Sequence, residues 1–282
     1  MRSAKISMPY FDILLDQLNS GEPSVQKVFG RHVHWGYWAN PDEADGTVED
    51  FAIAAENLCQ RVYNAAAVQE NDRLLDAGCG FGGTIASLNE QFQNLNMIGL
   101  NIDPRQLERA RQQITPLANN KITFIEGDAC QLPFDDNSLD TILAVECIFH
   151  FPSRELFFQE AQRVLRPGGH LGICDFVSTP IFKALQQFLA IFTNPMISGT
   201  FGRADSCVTL SDYRALAQKT GFQLASHEDI TRQTLPTYPV VCRVFNHAGF
   251  SKAAQDVAAV EKISRVGLLH YLILSFKADL SL

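Results

Sequence analysis

One segment, Leu74-Leu75-Asp76-Ala77-Gly78-Cys79-Gly80-Phe81-Gly82-Gly83, restricts the possible folds of this chain more than any other. A short apolar run ends in an acid, and four glycines within six residues precede a helical pattern. Strand, tight turn and helix N-terminus is the reading that accommodates all three. With no Cβ atoms in the way, such a turn lets the backbone approach a bound nucleoside cofactor.

The flanking pattern extends that unit. Helical apolar spacing covers residues 7–19 and 47–67, and 72–77 is the first strand. Further strands are expected at 96–100, 122–126, 139–145 and 170–176. Helices are expected at 104–113, opened by Pro104, and at 154–165, closed by Pro167-Gly168-Gly169. Alternating strands and helices imply right-handed crossovers and a parallel sheet covered on both faces, an α/β fold.

After residue 176 the rhythm changes. A phenylalanine-rich stretch broken by Pro180 and Pro195 leads to a helix at 211–219 and a strand at 222–230. A helical insertion at about 236–265 and a last strand at 268–276 follow. A hairpin-like pair closing a parallel sheet is not how dinucleotide dehydrogenase domains usually end. We read a single domain over 1–282, with an N-terminal helical cap at 1–67, a core at 68–176, and lid insertions and closing strands at 177–282.

The 282 residues, 46% hydrophobic and 19% charged, can bury a core of that size. A net charge of −8 argues against nucleic acid as a partner, since phosphates need a basic face. The seven cysteines are scattered with no CxxC pair, which suits reduced thiols in a cytoplasmic protein. The N-terminus shows no h-region, and no apolar run approaches the ~20 residues of a membrane span. The expectation is a cytoplasmic chain without stable membrane insertion, its oligomeric state open.

Two cofactors compete for the glycine turn. Gly78, Gly80 and Gly83 satisfy the dinucleotide pattern G-x-G-x-x-G, and Asp76 with Gly78, Gly80 and Gly82 satisfies the D-x-G-x-G-x-G pattern used for S-adenosylmethionine. A pyrophosphate would sit on the helix N-terminus, and Asp76 would oppose it. The ammonium of a sulfonium amino acid would welcome that acid.

Further motifs follow in order: Gly99-Leu100-Asn101-Ile102-Asp103-Pro104, then Glu126-Gly127-Asp128-Ala129-Cys130-Gln131-Leu132-Pro133-Phe134, then Arg163-Val164-Leu165-Arg166-Pro167-Gly168-Gly169. With the glycine turn they make the chain resemble the class I S-adenosylmethionine-dependent methyltransferases over about residues 30–176. That resemblance implies a Rossmann-like seven-stranded sheet, mostly parallel with an antiparallel C-terminal strand, carrying an N-terminal helical extension and helical lid insertions. It also implies a donor site of Asp76, Gly78, Cys79, Gly80, Asn101, Ile102, Gln106, Asp128, Ala129, Val145 and Glu146. In such a site Asp128 accepts from the adenine amino group, the Ala129 N–H faces a ring nitrogen, and carbonyls near Gly78 and Val145 or Glu146 hold the ammonium. Most relatives carry Asp or Glu where this chain has Asn101, so either Asn101 or Asp103 meets the ribose, and Asn101 is the favoured one.

Glu146-Cys147-Ile148-Phe149-His150-Phe151-Pro152 leaves the fourth strand at the carboxyl edge, where such sheets bind ligands. It resembles the His-His-Met-Pro segment of sugar and natural-product O-methyltransferases, with Phe149 replacing the first histidine. His150 is the candidate general base for a hydroxyl acceptor, and Asp175 at the end of strand five is its candidate helper. His32 and His34 lack the further ligands of a zinc site, so no metal is expected. His34-Trp35-Gly36-Tyr37-Trp38 resembles a closing segment of the tocopherol-type and sugar methyltransferases, which implies Tyr37 and Trp38 beside the sulfonium.

Ile181, Phe182, Leu185, Phe188, Leu189 and Phe192 share one helix face, and Phe201, Tyr238 and Phe245 could extend it into an apolar wall. The expected function is methyl transfer to a hydroxyl of a small, lipophilic natural product. The alternatives are nitrogen or carbon methylation, an NAD-dependent dehydrogenase, or a cofactor-binding module without catalysis.

Overall fold

The computed structural model describes residues 9–190, 205 and 207–279. Seven strands form one sheet: β1 (Arg73–Ala77), β2 (Asn96–Asn101), β3 (Lys121–Glu126), β4 (Leu139–Val145), β5 (Leu165–Ser178), β6 (Phe222–Asp229) and β7 (Leu269–Ala278). Their order is β3-β2-β1-β4-β5-β7-β6. The first five pair in parallel, while β7 runs antiparallel to β5 and β6. This is the expected Rossmann-like sheet. Strand order reverses between β1 and β4, so their carboxyl ends flank the crevice where ligands enter such sheets. Leu74, Leu75, Ile142 and Leu143 are fully buried, as strands covered on both faces require.

The helices are α1 (Pro9–Ser20), α2 (Pro23–Phe29), α3 (Val48–Ala65), α4 (Gly83–Gln91), α5 (Pro104–Gln113), α6 (Arg154–Val164), α7 (Pro180–Ala190), α8 (Leu210–Lys219), α9 (Thr231–Thr234), α10 (Thr237–His247) and α11 (Ser251–Arg265). Local chemistry sets their starts. Thr47 caps α3 by accepting from Asp50 N, Asp103 caps α5 ahead of Pro104, and Thr209 and Asp212 form a capping box on α8. Phe51, Ala55, Leu58 and Val62 make the buried stripe of α3, and Phe51→Ala would cost about 3–5 kcal/mol through the cavity it leaves.

Three boundaries differ from the sequence reading. The seven-residue α2 is too short to show a period. Residue 165 already pairs with Leu139, and the next pair is Thr141 with His170, so 166–169 bulge from a strand that begins earlier than expected. The insertion after β6 divides into α9, α10 and α11.

Phe11, Phe29, Trp38 and Phe51 from the N-terminal cap form one apolar cluster with Tyr238 and Val241 of α10. The cap and the C-terminal insertion are thereby packed together. Among the described residues, no helix is long and apolar enough to cross a membrane.

Candidate active site

Gly78 follows β1 at φ +78°, and its N–H and that of Cys79 both donate to Leu100 O. A Cβ at residue 78 would stand 2.8 Å from Cys147 Sγ, so only glycine lets the turn close on the loop after β4. Gly83 opens α4 in equally close quarters, since a Cβ there would lie 2.5 Å from Arg31 O and from His32 Nδ1. Small residues thus draw the segment 31–34 against the N-terminus of α4.

A chamber of about 870 Å³ lies at this edge. It brings together Asp76, Gly78, Cys79, Gly80, Asn101, Ile102, Gln106, Asp128, Ala129, Val145, Glu146 and His150, from four strand ends. Asp103 is outside it, capping α5 and pairing with Arg105. Asn101 accepts from Asp103 N at 3.1 Å and donates to Gln106 Oε1 at 3.0 Å, which fixes its amide on the wall. Asp128 holds its loop by accepting from Cys130 N at 2.8 Å.

Among the described residues, two polar atoms of the chamber lack a hydrogen-bond partner. Asp76, 1% exposed, leaves Oδ2 unbonded, and Gln106, also 1% exposed, leaves Nε2 unbonded. Burial pushes the Asp76 carboxyl up to about 7, and no cation among the described residues compensates it. Stranded buried groups of this kind cost stability unless a ligand meets them. A ligand bringing an ammonium and hydroxyl groups fits the wall, as does the adenosyl amino acid implied by the motifs.

Three expected site residues lie elsewhere. Asp175 is fully buried on the other side of β5, where Arg154 Nη2 stands 3.0 Å away and Tyr213 donates its hydroxyl hydrogen. It is a structural ion-pair member that lines neither chamber described here. Trp38 is buried in the N-terminal cluster and donates Nε1–H to Asp50 Oδ2 at 2.7 Å. Tyr37 lies under the Arg61 guanidinium, 4.8 Å from its ring centroid, beside the β7 core.

His32 and His34 reach the wall in place of Tyr37 and Trp38. The Trp35 carbonyl can only accept, so His34 Nδ1 carries a proton at 2.9 Å. His34 Nε2 lies 3.1 Å from His32 Nδ1, and His32 Nε2 donates to Glu56 Oε2 at 2.8 Å. Burial pushes His34 down to about 3. Against the upward push of burial, hydrogen bonds from His32 and Ser87 and the Arg31 charge bring Glu56 down to about 2. The two histidines tie the segment 32–35 to Glu56 on α3. Among the described residues no group of three or more His, Cys, Asp or Glu is placed to hold a metal ion.

Tyr10 of α1 was not singled out from the sequence, where it is one apolar residue in an amphipathic run. Its hydroxyl lies 3.5 Å from His150 Nε2 and its ring stacks on the imidazole at 6.1 Å. His150 ends a short 3-10 turn, Ile148–His150, that follows β4. Glu146 begins that loop at φ +52°, a conformation a non-glycine residue holds only when its surroundings impose it. Trp35 N at 2.8 Å and the Tyr271 hydroxyl both donate to its Oε2.

A second chamber of about 1330 Å³ adjoins the first, and Tyr10, Val33, Glu146 and His150 line both. Phe182 and Gln186 of α7, Phe245 of α10 and Val257 and Val260 of α11 contribute to its walls. The α7 face differs from expectation, because Ile181, Leu185 and Phe188 are exposed. Tyr238 belongs to the N-terminal cluster instead of the chamber. The Leu189 side chain, Phe192 and Phe201 lie outside the described residues.

Comparison with known proteins places this architecture. A family model described as a methyltransferase domain matches residues 75–173. The methyltransferase GfsG of Streptomyces halstedii is 32% identical over 234 residues, covering 82% of this chain and 80% of that protein. The 27-O-demethylrifamycin SV methyltransferase of Amycolatopsis mediterranei is 31% identical over 215 residues, covering 76% and 75%. In fold, the chain matches the crystal structure of the [4+2]-cyclase SpnF with a TM-score of 0.73 at 22% identity, covering 96% of this chain and 94% of that one. Sheet order, glycine turn and relatives agree, and the chain belongs to the class I S-adenosylmethionine-dependent methyltransferases.

Proposed function

We propose that this enzyme methylates a hydroxyl group of a small, apolar natural product, with His150 taking the hydroxyl proton. The shared wall carries this reading: Tyr10, Val33, Glu146 and His150 border both chambers, so a donor in one and an acceptor in the other meet beside an imidazole. On the donor side Asp76 would hold the ammonium, Asn101 the ribose, and Asp128 with the Ala129 N–H the adenine. S-adenosylmethionine, when bound, supplies a methyl group on a sulfonium that becomes a neutral thioether as the methyl leaves.

The chain supplies position and a proton acceptor. Holding two reactants in line removes much of the entropic barrier, which calls for rigid walls of the kind β1 and β4 provide. The acceptor's O–H bond breaks as its oxygen bonds the methyl carbon, and the proton passes to His150. Among the described residues, the lining of the second chamber holds no Lys, Arg or Asp to replace the hydration of an anionic acceptor. A neutral, lipophilic acceptor suits it, and the Amycolatopsis mediterranei relative is a methyltransferase of 27-O-demethylrifamycin SV.

The test incubates the purified chain with S-adenosylmethionine and a panel of hydroxylated polyketides, macrolactones and aromatic glycosides, with products identified by mass spectrometry and NMR. A methyl ether is expected, and His150→Ala should slow its formation by roughly 10²–10⁴-fold at unchanged donor affinity. A C-methyl or N-methyl product, or an undiminished rate in that variant, would refute the proposal.

A further inference from the structure

We propose that the Glu146 side chain anchors the acceptor, its Oε1 receiving a hydrogen bond from a second hydroxyl of the acceptor, distinct from the one whose proton His150 takes. The inference rests on the hydroxyl-acceptor reading above and deepens it.

Glu146 borders both chambers, and among the described residues it and His150 are the two acid or imidazole side chains in the lining of the second. A polar group entering among Phe149, Phe176 and Phe182 has few partners to choose from. Both hydrogen bonds that orient the carboxyl end on Oε2, from Trp35 N and the Tyr271 hydroxyl, and Oε1 has no partner among the described residues. The anchoring is itself braced, because the Trp35 carbonyl accepts from His34, which is tied through His32 to Glu56 on α3. The left-handed backbone at residue 146 turns this side chain away from the regular course of β4, a strain of the order of 1–3 kcal/mol that functional loops commonly hold. Burial raises the carboxyl to about 8, with the Asp175 charge adding to the rise, so Oε1 is a free acceptor above that pH. A sulfonium in the adjoining chamber would extend the ionised form to lower pH.

The experiment measures binding to the full chain saturated with S-adenosylhomocysteine, by calorimetry at pH 9, using three probes. 2-Naphthalenemethanol donates a hydrogen bond, 2-acetonaphthone only accepts one, and 2-methylnaphthalene does neither. The wild type should bind the alcohol about tenfold more tightly than the ketone, the size of one charge-assisted hydrogen bond. Glu146→Gln keeps an oxygen for Trp35 N and Tyr271 and turns an amide N–H to the chamber, so the preference should reverse in the protein saturated with S-adenosylhomocysteine. An alcohol-to-ketone ratio that is the same in both proteins overturns the anchoring role. Failure of 2-methylnaphthalene to bind would instead overturn the apolar acceptor chamber, and the anchor with it.

Discussion

The Trp35 amide donates to Glu146 Oε2 at 2.8 Å, joining the N-terminal cap to the carboxyl edge of the sheet across 111 residues of sequence. Through this bond the position of the cap and the shape of the donor wall depend on each other. Loosening residues 32–35 should therefore disturb the loop after β4 as well.

Asp76 makes donor affinity depend on pH. Its carboxyl is raised to about 7 by burial, and an ammonium placed beside it would lower that value and release a proton on binding. S-adenosylhomocysteine should bind about tenfold more tightly at pH 8 than at pH 6, as one linked proton requires. Calorimetry in two buffers of different ionisation enthalpy checks the proton release. Asp76→Asn should bind weakly and lose this pH dependence; a retained slope would place the titrating group elsewhere.

At the ribose position the prediction concerns an amide and its neighbour. Asn101→Ala should weaken S-adenosylhomocysteine binding by about tenfold, one to two hydrogen bonds' worth. Asn101→Asp should stay within a few-fold of wild type, because Gln106 can rotate its unpartnered Nε2 towards the new carboxylate. Equal losses in the two variants would show that residue 101 supports the wall without touching the ligand.

The Arg154–Asp175 pair should matter for folding and little for binding. Asp175 is fully buried and the Arg154 side chain is 9% exposed, so Asp175→Ala leaves that cation with Asp205 as its remaining carboxylate partner, at a cost of about 3 kcal/mol. Calorimetric melting should fall by roughly 10 °C, with S-adenosylhomocysteine affinity within threefold of wild type. A large loss of affinity at an unchanged melting temperature would restore Asp175 to the site.

His34 predicts acid sensitivity. Burial lowers it to about 3, whereas in the unfolded chain it titrates near 6.5. The unfolded state therefore binds a proton the folded state refuses, and stability present above about pH 6.5 is lost as pH falls towards 3. Urea unfolding should show wild type losing about 2 kcal/mol more than His34→Gln between pH 7 and pH 5. Glu56, lowered to about 2, titrates below this window, and His32, also lowered by burial, is present in both proteins. Parallel losses in both proteins would assign the sensitivity to other groups.

Strand positions, the glycine turn and the proline-led start of α5 were legible in the sequence because each depends on neighbours a few residues apart. Period two and period 3.6 are local, and glycines at 78, 80 and 82 are placed by backbone angles that other residues resist. Those same signals located Asp76, Asn101, Asp128 and His150, since strand ends converge on one edge in this class of sheet. They could not tell which way a side chain leaves that edge. Asp175 ends the expected strand as Asp76 does, yet it faces Arg154 and Tyr213. Nor could they show that Tyr10, His32 and His34 would reach the wall from the cap, because those contacts span more than a hundred residues in the case of Tyr10 and His150. The sequence by itself determined the fold and the class of cofactor, through local backbone chemistry. Only tertiary packing, by bringing the cap onto the sheet edge, decided which groups stand between the two chambers.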